Sequence, residues 1–168
     1  MHIDYAIRHL EESTQRDPSF AEGWALLASV YGRKISLKPL LGMTLGQKSR
    51  RAQRTAVEIA PDNPRVVLLK AIGDFNTPRM WGGSKKRAIE GLRRAATLFQ
   101  EESVSNPLQP SWGHSDVYAW LGIAHLDEDN LSEARKAFEK ALTIDPEFGW
   151  VKYDLMPSLE RREGAEPY

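Results

Sequence analysis

The four histidines His2, His9, His114 and His125 are the side chains best suited to move a proton or bind a metal. None stands in an HExxH pattern, and the chain has no cysteine to complete a zinc-type ligand set. Gly82-Gly83-Ser84-Lys85-Lys86 puts glycines ahead of a basic helix start, as an anion loop does. It lacks the GxxxxGKS/T spacing and follows no strand, so a turn accommodating Trp81 is expected. Asp127-Glu128-Asp129 matches a calcium loop in charge alone, without the central glycine and distal glutamate. Ser111-Trp112-Gly113-His114-Ser115 is not a nucleophile elbow. The residues therefore predict no enzyme, no cofactor and no metal site.

Charge is the next candidate for chemistry. The 168 residues sum to zero, but residues 1–100 carry 17 Lys/Arg and 9 Asp/Glu, while residues 101–168 carry 6 and 14. Lys38, Lys48, Arg50, Arg51 and Arg54 lie in the densest basic stretch, 33–54, which has no acidic residue. They form a solvated face, or a patch for an anion, a nucleic acid or the acidic end of a second copy. Overall neutrality argues against general nucleic-acid binding. Hydrophobic content of 41% and charged content of 27% suit a folded chain. No run of 18 apolar residues spans a membrane. Without cysteine the compartment stays open: the cytosol is the reading adopted, the periplasm an option for a processed or trimmed chain.

Positioning such residues falls to helices. Tyr118, Leu121, Gly122 and His125 share one helix face, and Ala134, Phe138 and Ala141 another, with Pro146 as the stop. This predicts helices over 116–126 and 131–144 around the turn 127–130. Gly122, Ala134 and Ala141 are small so that the helices approach, Phe138 fills the space between them, and His125 has a core position. Trp24, Leu27, Ala28 and Tyr31 repeat the first spacing, with a second helix over 45–59. The apolar segment 35–43 between these helices is expected to pack. A middle pair is expected over 64–74 and 85–99, the latter capped by Ser84. Ala6, Leu10, Ser13 and Pro18 echo the second-helix spacing near the start. A closing helix over 149–162 is expected, interrupted by Pro157.

These motifs resemble the tetratricopeptide repeat (TPR), a helix–turn–helix unit of about 34 residues. The resemblance is tightest over 115–148 and extends to 21–61 and 64–100. The inserted segments 77–83 and 110–115 resemble a bacterial subset of small TPR proteins. The family implies an all-α, right-handed superhelix over 1–168, with 1–18 and 149–162 as terminal helices. It also implies a groove lined by the first helices that holds a peptide or protein. Carried over, the groove positions are Glu22, Ala25, Ser29 and Arg33, then Arg65, Leu68, Ile72, Phe75 and Asn76, then Asp116, Ala119, Ile123 and Asp127. The family's Lys/Asn carboxylate clamp is absent, because apolar or small residues hold those places. The floor suits an amphipathic helix or a hydrophobic segment, unless an insertion covers Leu68, Ile72 and Phe75. Trp81 and Trp112 are partner anchors if exposed and extra core if buried. A protein-interaction module is thus the first reading, self-association the second, and anion binding through the basic patch the third.

Overall fold

The computed structural model describes residues 2–103 and 110–164; Pro107, in the insertion before the last unit, lies outside them. The described residues form eight α-helices and no strand. Helix α1 (His2–Arg16) precedes three hairpins: α2 (Ala21–Leu37) with α3 (Gly42–Ile59), α4 (Pro64–Asn76) with α5 (Lys85–Glu101), and α6 (His114–Asp127) with α7 (Leu131–Ile144). A π-helical stretch, Val151–Leu155, leads into α8 (Met156–Glu163). The hairpins stack as a helical-repeat superhelix. Successive first helices, α2 with α4 and α4 with α6, touch, and the π-helical stretch Val151–Leu155 touches α6. The second helices α3, α5 and α7 do not meet one another to a comparable extent. The layer whose members crowd together has the smaller radius, so α2, α4 and α6 form the inner face.

Small residues set how closely each hairpin closes. Ala28, Ala52 and Ala56 are buried in and beside the first hairpin, and Ser49 Oγ donates to the Ala28 carbonyl at 2.9 Å. In the last hairpin a Cβ on Gly122 would lie 2.2 Å from the Phe138 ring, so only glycine allows that approach. Phe138, Ala134 and Ala141 are sealed from solvent in one cluster with Val151 and Leu159. Asn63 caps α4: its side chain accepts from the Arg65 and Val66 amides at 2.9 and 3.2 Å, with Pro64 in the first turn. The Ser84 hydroxyl accepts from the Arg87 amide at the start of α5, as its position predicted.

Three local expectations change. Helix α3 begins at Gly42 rather than near residue 45, and the segment expected to pack instead presents side chains to solvent: Leu37, Leu40 and Met43 are exposed. Pro39 opens a 3-10 turn there, which packs against α2 and α3 alone among the described elements. Pro157 does not interrupt the closing helix. It opens the α8 segment of a helical run that continues unbroken from 149 to 163. The preceding turn widens instead, the Met156 amide reaching back five residues to the Val151 carbonyl.

Candidate protein-binding surface

The inner face begins with the thirteen positions carried over from the repeat, and they divide sharply. Ala25, Leu68 and Ala119 are closed to solvent and serve as helix-to-helix packing. Gly113, from the insertion before α6, covers part of this region: a Cβ there would meet Leu68 at 3.4 Å and Phe99 at 2.6 Å. Its φ of +104° adds a second reason for glycine. Ser29, Ile72, Phe75, Asp116 and Ile123 are half-buried, and Arg33, Asn76 and Asp127 are exposed. Asp127 pairs with Lys85. Burial pushes the Asp116 carboxyl above its ordinary range.

Arg65 is not a free groove cation, because its side chain is spent inside the structure. It is 2% exposed. Its guanidinium donates to both Glu102 oxygens, at 2.5 and 3.1 Å, and to the Pro110 carbonyl. Glu22 stands 3.9 Å away and accepts from the Asn63 side-chain amide at 3.0 Å. The Phe99 and Trp112 rings flank the guanidinium at 5.4 and 5.7 Å. Glu22 and Arg65 thus hold hairpins and insertion together, and Trp112 is partly covered by the same cluster.

What remains accessible is an aromatic strip. Phe75 of α4 meets Trp120 of α6 edge-on, with centroids 5.9 Å apart. Trp120 meets Trp150 at 5.7 Å, and Trp150 meets Phe148 at 6.3 Å. Lys85 lies over the Phe75 ring. Trp150 and Tyr153 are both exposed, so the strip ends in open aromatic surface. The sequence reading did not place Trp120, Trp150 or Tyr153 in the groove. A signal existed: Trp150 and Tyr153 stand one 34-residue repeat after Asp116 and Ala119, at first-helix positions of a further unit.

The other expected surfaces are also located. Trp81 is 60% exposed, on the turn between α4 and α5 rather than on the inner face. Lys48 lies 3.6 Å from Glu11 and over the Tyr31 ring. Burial and a hydrogen bond to Glu11 push the Tyr31 hydroxyl well above its usual pKa. Arg50 and Arg54 line a shallow open cleft with Lys70 and Glu58, while Lys38 and Arg51 face solvent. Among the described residues no group of three or more His, Asp or Glu is placed to hold a metal ion.

His114 opens α6 and stacks on Phe99 with rings 10° from parallel. Burial, then the positive charge of Lys140, lowers its pKa below the ordinary value. The unfolded chain therefore takes up this proton first as pH falls, and the folded state loses stability through that window. Denaturation midpoints should drop between about pH 7 and pH 5. His114→Phe, which keeps the stack, should show a smaller drop than the wild type; equal drops would contradict this assignment.

Comparison with known proteins completes the geometry. The tetratricopeptide repeat family model matches residues 115–148, the hairpin of α6 and α7. The chain thus carries a tetratricopeptide repeat at 115–148 within a tetratricopeptide-like fold. Its fold is similar to that in a crystal structure of MamA, with a TM-score of 0.58 and 20% identity, over 96% of this chain and 79% of that one. A second MamA structure aligns at a TM-score of 0.53 and 21% identity, over 89% and 68% of the two chains. At such identity the likeness speaks for the fold alone. No curated protein matches the sequence. The repeat places the chain among protein-interaction and assembly modules, which are generally scaffolds rather than enzymes.

Proposed function

We propose that the tetratricopeptide-repeat inner face binds a protein segment that presents apolar side chains, with the aromatic strip as its contact line. The observation that carries this reading is the run Phe75–Trp120–Trp150, which continues into exposed Tyr153. Large aromatic surface at the centre of a concave face is where binding energy concentrates. Half-buried Ile72 and Ile123 widen the strip, and exposed Arg33, Asn76 and Asp127 supply a polar rim at the turn edge. Arg65 and Leu68 belong to the scaffold beneath, so changing them would disturb folding before recognition.

The test is quantitative capture of native partners by the wild type and by Trp150→Ala and Tyr153→Ala, each checked for unchanged helicity. Leu40→Ser, on another surface, is the control. Recovery should fall at least about tenfold for a change at a central anchor and stay level for the control. Equal recovery by all four proteins would overturn the assignment. Sedimentation of the same proteins alone decides whether the bound segment comes from a second copy, since only then do the two aromatic substitutions shift a self-association equilibrium.

A further inference from the structure

The edge of the stack carrying the hairpin turns displays side chains that the inner face does not use. Lys34, near the end of α2, bonds Asp4 near the start of α1 at 2.6 Å. Lys85, at the start of α5, pairs with Asp127 at the end of α6. The Lys85–Asp127 link holds the α4–α5 and α6–α7 turns on one edge, and the stacking of the first helices α2 and α4 carries the α2–α3 turn to the same edge. On the first two turns large apolar side chains stand in solvent: Leu40 is 97% exposed, Met43 82%, Met80 83% and Trp81 60%. Exposed cations stand among them, Lys38 on the first turn and Arg79 and Lys86 at the second. None pairs with a carboxylate among the described residues. The nearby acids Asp4 and Asp74 are already matched, by Lys34 and by Lys70 and Arg87.

We infer that this edge docks onto the surface of an anionic lipid bilayer, with Leu40, Met43, Met80 and Trp81 entering the interfacial layer and the free cations meeting the headgroups. Shape selects the partner. The apolar groups sit at the tips of two separate convex turns, not in a groove. A protein partner would need two preformed pockets at matching separation, whereas a fluid interface accepts protruding side chains without complementarity. Apolar tips flanked by Lys and Arg supply both contributions an interfacial anchor uses, area removed from water and attraction to anionic lipid. No helix among the described residues is long and apolar enough to cross a membrane, so the contact is peripheral. The acidic third turn, with Glu128 and Asp129 exposed, is repelled by such a surface and confines docking to the first two turns.

Co-sedimentation of the full chain with phosphatidylcholine vesicles, with and without about 30 mol% phosphatidylserine, tests the inference at about 0.1 M salt. The chain should partition onto the anionic vesicles and not onto the neutral ones, and release as salt rises. The triple change Leu40→Ser, Met80→Ser and Trp81→Ser should weaken partition at least about tenfold by removing the apolar contribution. Lys38→Glu with Arg79→Glu and Lys86→Glu should abolish it. Brominated lipid should quench the wild-type fluorescence more than that of Trp81→Phe, in which the other four tryptophans remain. Trp150→Ala, on the inner face, should partition like the wild type, which separates this surface from the protein-binding one. Failure to bind anionic vesicles, binding indifferent to the apolar triple change, or quenching unaffected by Trp81→Phe would each overturn the inference. A protein complex that depends on the same tips without vesicle binding would likewise reassign the edge to a protein partner.

Discussion

Replacing Arg65 with alanine is expected to lower the unfolding free energy by about 3 kcal/mol or more, as measured by urea denaturation. The size follows from what the change strands. Glu102 loses both donors, the Pro110 carbonyl loses its partner, and Glu22 loses the neighbouring positive charge. The guanidinium also fills the gap between Phe99 and Trp112, so packing is lost along with charge. Glu102 is about a quarter exposed and can turn toward water, which holds the effect near the lower end for buried pairs. Arg65→Lys should recover only part, since an ammonium cannot bond both oxygens and the carbonyl in the same fork. Arg65→Met combined with Glu102→Gln should be less destabilised than Arg65→Ala, because the stranded Glu102 charge is removed and methionine refills part of the gap between Phe99 and Trp112. A double variant as unstable as Arg65→Ala would contradict both the stranded Glu102 charge and the emptied gap as sources of the loss.

The second large effect lies in the last hairpin. A methyl group at Gly122 would fall 2.2–2.8 Å from three carbons of the Phe138 ring. That ring is fully buried, with Ala134 and Ala141 of its own helix also closed to solvent. It has no open side to move into, so Gly122→Ala should cost about 3 kcal/mol, the upper end for overpacking. Phe138→Ala should cost about 4 kcal/mol by leaving a cavity. The two sites touch, so their effects should not add. In a Phe138→Leu background the penalty of Gly122→Ala should shrink by at least about 1 kcal/mol. Strict additivity in this double-mutant cycle would contradict the contact.

These two sites also mark how much of the molecule was legible in its sequence. Gly122 and Phe138 belong to a motif of fixed register, and the helix over 131–144 lies where that motif predicted it. Local rules sufficed there because each residue type answers to one neighbour on the paired helix. Arg65 occupies a groove position in the same register, yet it is an internal cation. Its partners Glu102 and Pro110 lie in an insertion that follows no repeat, so spacing carried no information about them. Ala25 and Ala119 were read as floor positions, but small side chains allow close approach and so tend to end up beneath a surface rather than on it. The aromatic strip was missed for the opposite reason. Trp150 and Tyr153 obey the repeat, but the segment was read as a closing helix rather than as one more first helix. The exposed tips at Leu40 and Met43 were misjudged because apolar composition signals packing only when another element arrives to cover it.

The Arg65 cluster has a mechanical consequence. A stack of hairpins held only by nearest-neighbour contacts behaves as a coil spring, flexing a little at every joint. Here one guanidinium touches Glu22 on α2, Glu102 at the end of α5 and Pro110 ahead of α6, and so bolts three successive turns of the coil together. Stretching or twisting the coil at its middle would have to break charge-assisted bonds. Toward the end, Arg135 of α7 donates to both Glu163 oxygens of α8 and Arg162 donates to the Leu126 carbonyl, but these links are open to water and so weaker than the buried Arg65 cluster. Deformation of the superhelix on gripping a partner should therefore concentrate beside Trp150 and Tyr153, making the open end of the aromatic strip a compliant jaw set on a stiff frame.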